Sequence, residues 1–297
     1  MELIEVDLGR IPSSTIFRIY PLGDIHAGSV HCAEGHIRRM VKQIQRDPLA
    51  RWIGMGDYAD AITKEDKRFD IGGLSPWVKP GNIIESQRRW VTQLFDPIKE
   101  QCLAFLTGNH EESIHRHHQD DLARNIADDL GVPYAGFSCF ILLKACRGAM
   151  INRRLVRIHA WHGAGAAQSE GARIMRLMRL VNEVEADICI MGHLHAVSTY
   201  ETQRLICDGG LIQYKPVVAA MTGSWLKTYT QGSQTGGAIS YGEMKGYKPS
   251  VIGCPIVNVK MFHGTESALK GKRRKNNAFN ARWWIETSSV SPHTEEA

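Results

Sequence analysis

The chain of 297 residues has no C-x-x-C pair, and its cysteines, Cys32, Cys102, Cys139, Cys146, Cys189, Cys207 and Cys254, are scattered and odd in number. That pattern argues against a disulfide framework or a structural zinc knuckle and reads as reduced thiols. No apolar run approaches the roughly 20 residues of a membrane-spanning helix. The opening stretch MELIEVDLGR carries acids early and lacks a basic region followed by an apolar one, so no signal peptide is read there and a cytoplasmic location is expected. Neither sign of charge dominates, with 36 Lys and Arg against 31 Asp and Glu. A net charge of +5 tolerates an anionic substrate without establishing nucleic-acid binding.

What is present is a regular alternation of strand and helix patterns. IFRIYPL (16–22) reads as a strand, and 34–46 as a helix with Ile37, Met40, Val41 and Ile44 on one face. A strand at 50–57, a helix at 82–100 with Pro97 near its end, a strand at 102–109 and a helix at 120–131 stopped by Gly131 follow. Strands at about 137–145 and 155–163 and a helix at 169–185, with Ile174, Leu177, Met178 and Val181 on one side, precede the strand 187–193. Beyond it, 202–221, 250–262 and 281–287 are strand candidates in a glycine-rich, β-like region.

The polar residues cluster where these strands stop. Asp24 and His26, Asp57, Asn109 and His110, His162, and His193 and His195 all lie at such ends, and in open α/β sheets the carboxyl ends of strands are where ligands bind. Taken singly, each has a plainer reading: Asp24, Asp57 and Asn109 as turn or capping residues, and His162 as a satisfied strand-end histidine. Together they have the composition of a two-cation site, in which carboxylate, amide and imidazole ligands hold metals about 3.5–4 Å apart. His193 and His195, two apart, share a face if the chain there is extended.

In order, GDIH (23–26), GDYAD (56–60), GNHE (108–111), WHG (161–163) and GHLH (192–195) resemble the blocks of the calcineurin-like metallophosphoesterase superfamily. They spread over roughly residues 17–200. The resemblance implies an α/β fold, an αββα sandwich of two mixed β-sheets flanked by helices. It implies two divalent metal ions, with manganese favoured and iron, zinc, nickel or cobalt as alternatives. Asp24, His26 and His195 would hold the first and Asn109, His162 and His193 the second, with Asp57 bridging. His110 matches the family's non-ligand catalytic histidine, and Asp60 the acid that orients it in some members.

The pattern also departs from the family. GDYADAI replaces the GDxxDRG of its phosphoprotein phosphatases, so a bidentate phosphate-binding arginine is missing. GNHE stands where double-strand-break repair nucleases of the family have GNHD. The expectation is a phosphate-ester hydrolase, a phosphodiesterase in preference to a monoesterase or protein phosphatase, with nucleic acid or nucleotides as candidate substrates. A non-catalytic binding scaffold on the same fold is the competing reading from a different class.

Arg173 and Arg176, on the helix after His162, are candidates for phosphate contact, against the plainer reading of a water-facing ridge. Tyr229 and Tyr241, in the glycine-rich segment 222–247, are substrate-contact candidates if that segment covers the site. The expected organisation is one domain over 1–262, with a candidate cap insertion at 64–90, and a basic segment at 263–297 that includes KGKRRK (270–275).

Overall fold

The computed structural model describes residues 1–12, 15–146, 153–208, 210–231, 238–263 and 279–290. The chain opens with β1 (Glu2–Arg10), β2 (Ile16–Leu22), α1 (Glu34–Arg46), β3 (Ala50–Gly54), α2 (Ile83–Phe95) and β4 (Cys102–Leu106). Then come α3 (Asn109–His118), α4 (Leu122–Leu130), β5 (Tyr134–Gly136), β6 (Ser138–Cys146), β7 (Arg153–Trp161), α5 (Glu170–Glu183) and β8 (Ile188–Met191). β9 (Val197–Asp208), β10 (Leu211–Thr222), the single-turn α6 (Tyr241–Met244), β11 (Ile252–His263) and β12 (Phe279–Val290) complete it.

These strands form two six-stranded sheets, ordered β1-β6-β7-β8-β10-β9 and β12-β11-β2-β3-β4-β5. Both are mixed: β2, β3, β4 and β5 run parallel, with β11 and β12 antiparallel at one edge, and β7, β8 and β10 run parallel, with β6 and β9 antiparallel beside them. The inner faces meet in a core where Ile19, Ile53 and Leu103 pack in one cluster with Ile141, Ile158 and Ile188. α1, α2 and α4 bury their apolar faces in a second cluster on the outside of the β2-containing sheet, and α5 covers the other sheet through Leu177, Leu180 and Val181. The architecture is therefore an α/β sandwich, two mixed sheets flanked by helices. Each fully buried Leu or Ile in the inter-sheet core contributes about 1.5–3 kcal/mol of burial free energy, and because helices cover the outer faces the central strands β4 and β8 are apolar on both sides.

Several boundaries differ from the sequence reading, each for a local reason. The 82–100 helix stops at Phe95, and a 3-10 helix takes over from Asp96 to Gln101, because Pro97 has no N–H and its ring crowds the preceding turn. The strands expected at 50–57 and 102–109 end at Gly54 and Leu106, since the residues after them turn out of the sheet. The 202–221 strand is a hairpin, with β9 paired antiparallel to β10 from Leu211↔Asp208 to Thr222↔Val197. β1, unanticipated, pairs parallel with β6 at the sheet edge. On α5 the buried side is Leu177, Leu180 and Val181, while Met178 is exposed. Trp283 lies in the inter-sheet core, and Trp284 points away from it and donates to Glu286. No helix among the described residues is long and apolar enough to cross a membrane.

Candidate metal centre

Three strands of one sheet and two of the other deliver the residues named from the sequence to one rim. Asp24 follows β2, Asp57 follows β3, Asn109 begins α3 just past β4, His162 follows β7, and His193 and His195 follow β8. Hydrogen bonds tie the two sheets together there. His193 N and Thr222 Oγ1, at the end of β10, donate to Asp24 Oδ2 at 3.0 and 3.3 Å, and His162 Nδ1 donates to the carbonyl of Met55 at 2.7 Å.

The backbone is bent to suit the side chains. Asp24, His26, Asp57, His193 and His195 all have positive φ, between 48° and 70°, a region that non-glycine residues seldom occupy. Such strain persists only where the surroundings enforce it, and it gathers at functional sites. His193 and His195 are thus not in an extended strand, and face alternation is not what aims them. Both sit in left-handed turns past Met191, and the turns send their imidazoles to different partners.

The side chains form two groups joined through histidines. Asp24, His26 and His195 bring one ligand atom each within 4.8 Å of one another, and so do Asp57, His162 and His193. In the first group His26 Nε2 lies 3.1 Å from His195 Nε2, and His195 Nε2 lies 3.4 Å from Asp24 Oδ1. In the second, His162 Nε2 lies 3.1 Å from Asn109 Oδ1 and 3.5 Å from Asp57 Oδ2, and His193 Nδ1 lies 2.7 Å from Asn109 Oδ1. The Asp57 carboxylate stands in the second group, and its field also reaches His26. A third group, His26, Asp60 and His110, adjoins the first. The Asp60 carboxylate faces His26, with Oδ1 3.4 Å from His26 Nδ1, whereas His110 Nδ1 is held by the Asp60 backbone carbonyl. The His26 and His110 rings meet edge to face at 4.6 Å.

The donor set suits cations. Asp24 Oδ1 is buried with no hydrogen-bond partner, a costly arrangement for a carboxylate oxygen unless a positive charge answers it. With His162 Nδ1 committed to Met55, Nε2 is the ring atom that faces the Asn109 and Asp57 oxygens, as a donor in the protonated ring and as a lone pair open to a cation once that proton leaves. Burial alone would lower the His162 pKa, but the charge of Asp57, its hydrogen bond and the charge of Asp24 together push it up to about 10. Burial would likewise raise the Asp24 carboxyl, and contact with His195 more than offsets it, leaving the carboxyl below its ordinary value. For His110, burial is outweighed by Asp57 and Asp60, and the imidazole is shifted upward. His26 and His193 are shifted downward instead, by burial first and then by the neighbouring imidazoles, which leaves their lone pairs open to a cation.

Residues that the sequence reading did not single out hold this arrangement in place. The buried Glu111 carboxylate accepts from the backbone N–H of Asp57 (2.9 Å), Tyr58 (2.7 Å), Ala59 (3.0 Å) and Gly108 (3.1 Å). The signal was there, since an acid three residues past the Gly108 helix cap is half of a capping box. Gly56 and Gly108 are required by close approach. A Cβ on Gly108 would stand 2.1 Å from Asp57 Oδ1, and one on Gly56, which has φ +89°, would stand 2.7 Å from His162 Nδ1.

The substrate-contact candidates are held by other partners. Arg173 Nε donates to Ala167 O at 3.1 Å and Arg176 Nη1 to Ala164 O at 2.8 Å, so both brace the loop after His162. The exposed Tyr229 donates to Tyr247 O at 2.8 Å, and Tyr241 meets the Tyr247 ring edge to face. Part of the 222–247 segment and the whole basic run 270–275 lie outside the described residues.

No protein-family model matches this chain, and no curated protein does either. A solved structure from Streptococcus pneumoniae TIGR4, a conserved uncharacterized protein described as a predicted phosphoesterase, aligns over 92% of this chain and 99% of its own. It is 12% identical with a TM-score of 0.33, a likeness too slight to carry functional weight.

Proposed function

We propose that the chain is a metal-dependent phosphoesterase that binds two divalent cations, manganese being favoured among metals that accept mixed oxygen and nitrogen ligands. The observation that carries the reading is the pair of groups Asp24–His26–His195 and Asp57–His162–His193 at one rim, with Asp24 Oδ1 buried, accepting no hydrogen bond and facing the His195 ring at 3.4 Å. Asp24, His26 and His195 would hold one cation and Asn109, His162 and His193 the other, with Asp57 shared. Cations there would neutralise phosphate oxygens and make water a stronger nucleophile at neutral pH.

His110 is the group placed to move a proton. Its Nδ1 is committed to the Asp60 carbonyl, which leaves Nε2 to give a proton to the leaving-group oxygen. Asp60 thus orients His110 through its main chain, and its carboxylate steadies His26 instead.

A phosphodiester is favoured over a monoester because GDYADAI lacks the arginine that would clamp a terminal phosphate. Arg173 and Arg176 each donate to carbonyls of the loop after His162, and the basic run 270–275 is outside the described residues. The ester class is decided by assaying the manganese-loaded protein on p-nitrophenyl phosphate, bis-p-nitrophenyl phosphate and labelled single- and double-stranded DNA. Hydrolysis of at least one, together with retained metal by elemental analysis, is expected. Inactivity on all of them with every divalent cation tried would overturn the reading in favour of a binding scaffold.

A further inference from the structure

The β9–β10 hairpin outruns the sheet that carries it. β8 supports β10 only from Val218 to Met221, so 211–217 of β10 and 202–208 of β9 have each other as their strand partners among the described residues. Two strands paired alone are marginal in water unless something covers a face. β10 reaches the metal rim at Thr222, whose hydroxyl donates to Asp24. The far end of the arm, where Asp208 pairs with Leu211, therefore lies at the opposite end of the strands.

One face of this arm is tied down. Arg204 donates to the carbonyls of Val181 and Val184 at the end of α5, and its cross-strand neighbour Lys215 pairs with Asp187 at 2.7 Å. The other face is bare and mostly apolar. Directly opposed residues point to the same side of a sheet, so Leu205 with Tyr214, Cys207 with Ile212, and Gln203 with Pro216 share it. Leu205 is 66% exposed, Ile212 69% and Tyr214 59%, and the other three are exposed as well.

We propose that this face is the contact between two copies of the chain, packed arm against arm about a two-fold axis. It is independent of the phosphoesterase reading. Leu205, Ile212 and Tyr214 offer roughly 100–150 Å² each, and with the three smaller contributors one face presents about 500 Å². Two such faces bury about 1,000 Å², the lower bound for a specific association. The charge pattern favours the same occupant. Among the described residues of the arm's bare side, Glu201 is the exposed charged one, so that side holds no basic group for a nucleic acid or an anionic lipid. A two-fold brings identical surfaces together, and here that sets apolar against apolar as in a small β-sandwich. The tethers at Arg204 and Lys215 hold the arm in place beforehand, so little order has to be gained on association.

The test is sedimentation velocity on the full-length protein from micromolar to hundreds of micromolar concentration. A monomer–dimer equilibrium is expected, with a dissociation constant on the order of micromolar for so small an interface. Ile212→Glu and Tyr214→Ser should each weaken it at least tenfold, with the melting temperature of the dilute protein unchanged, since both side chains face water in the monomer. Cys207 is the exposed cysteine among the described ones, so a bis-maleimide should join two wild-type chains and fail to join Cys207→Ser. A protein that stays monomeric at every concentration would overturn the proposal, as would a dimer that both substitutions leave intact. A monomer that co-sediments with phosphatidylcholine vesicles, and ceases to do so as Ile212→Glu, would assign the face to lipid and overturn it as well.

Discussion

Glu111 and Asp57 are joined main chain to side chain: the Glu111 carboxylate accepts from the Asp57 N–H at 2.9 Å while the Asp57 carboxylate turns back to accept from His110 N, also at 2.9 Å. The acid at the start of α3 thereby fixes the left-handed turn that aims the acid after β3. Glu111→Gln replaces an acceptor oxygen by an amide that donates into a group of N–H donors. It is expected to cost about 2–3 kcal/mol, the penalty of buried unsatisfied donors, and to lower manganese occupancy. Urea denaturation and elemental analysis check it; unchanged values in both would show that the turn holds itself.

The two histidines of GHLH serve different groups, so their loss should be separable. His193→Ala is expected to remove the cation held with Asp57 and His162 while the other is retained, and His195→Ala to do the reverse. Metal-to-protein ratios after dialysis should fall from about two to about one in each variant if the site holds the two-cation arrangement. A ratio unaffected by either change would argue against both assignments.

Loss of His110 should separate chemistry from metal binding. His110→Ala is expected to lower kcat by about 10²–10⁴ with metal content unchanged, the range usual for a general acid. The deficit should shrink on esters with acidic leaving groups, which need no proton. An equal loss across alkyl and nitrophenyl esters would contradict a role at the leaving oxygen.

Far from the site, Asp47 forms a two-point bond with Arg18 and accepts from Leu49 N, which hold its carboxyl below the ordinary range. A carboxyl whose folded pKa is depressed adds stability above its unfolded pKa and loses it as pH falls through the folded one. Asp47→Asn should therefore cost about 1 kcal/mol at neutral pH, modest because the pair is partly exposed. The two proteins should converge in strong acid, once the pH has fallen through the depressed folded pKa of Asp47. Urea midpoints at both pH values measure this, and a constant gap would show that the cost is not electrostatic.

Much of this protein was legible in the sequence because its signals are local. Apolar periodicity marked β2, α1, β3, β4, α4, α5 and β8 to within a few residues, and short glycine-flanked motifs marked where polar residues leave each strand. Elements that depend on a distant partner were not legible. β1 exists because β6 offers it an edge, and the β9–β10 hairpin hid inside what read as one strand. The sequence by itself determined which residues stand at strand ends. Only the tertiary structure decided which of them meet: His193 with Asp57 and His162, His195 with Asp24 and His26, the Asp60 carboxylate with His26, Arg173 and Arg176 with loop carbonyls, and Glu111 under the Asp57 turn. The reason is geometric, since left-handed turns at Asp24, His26, Asp57, His193 and His195 set the side-chain directions, and those turns are held by contacts with other strand ends, in the same sheet and across to the facing one, that no local pattern records.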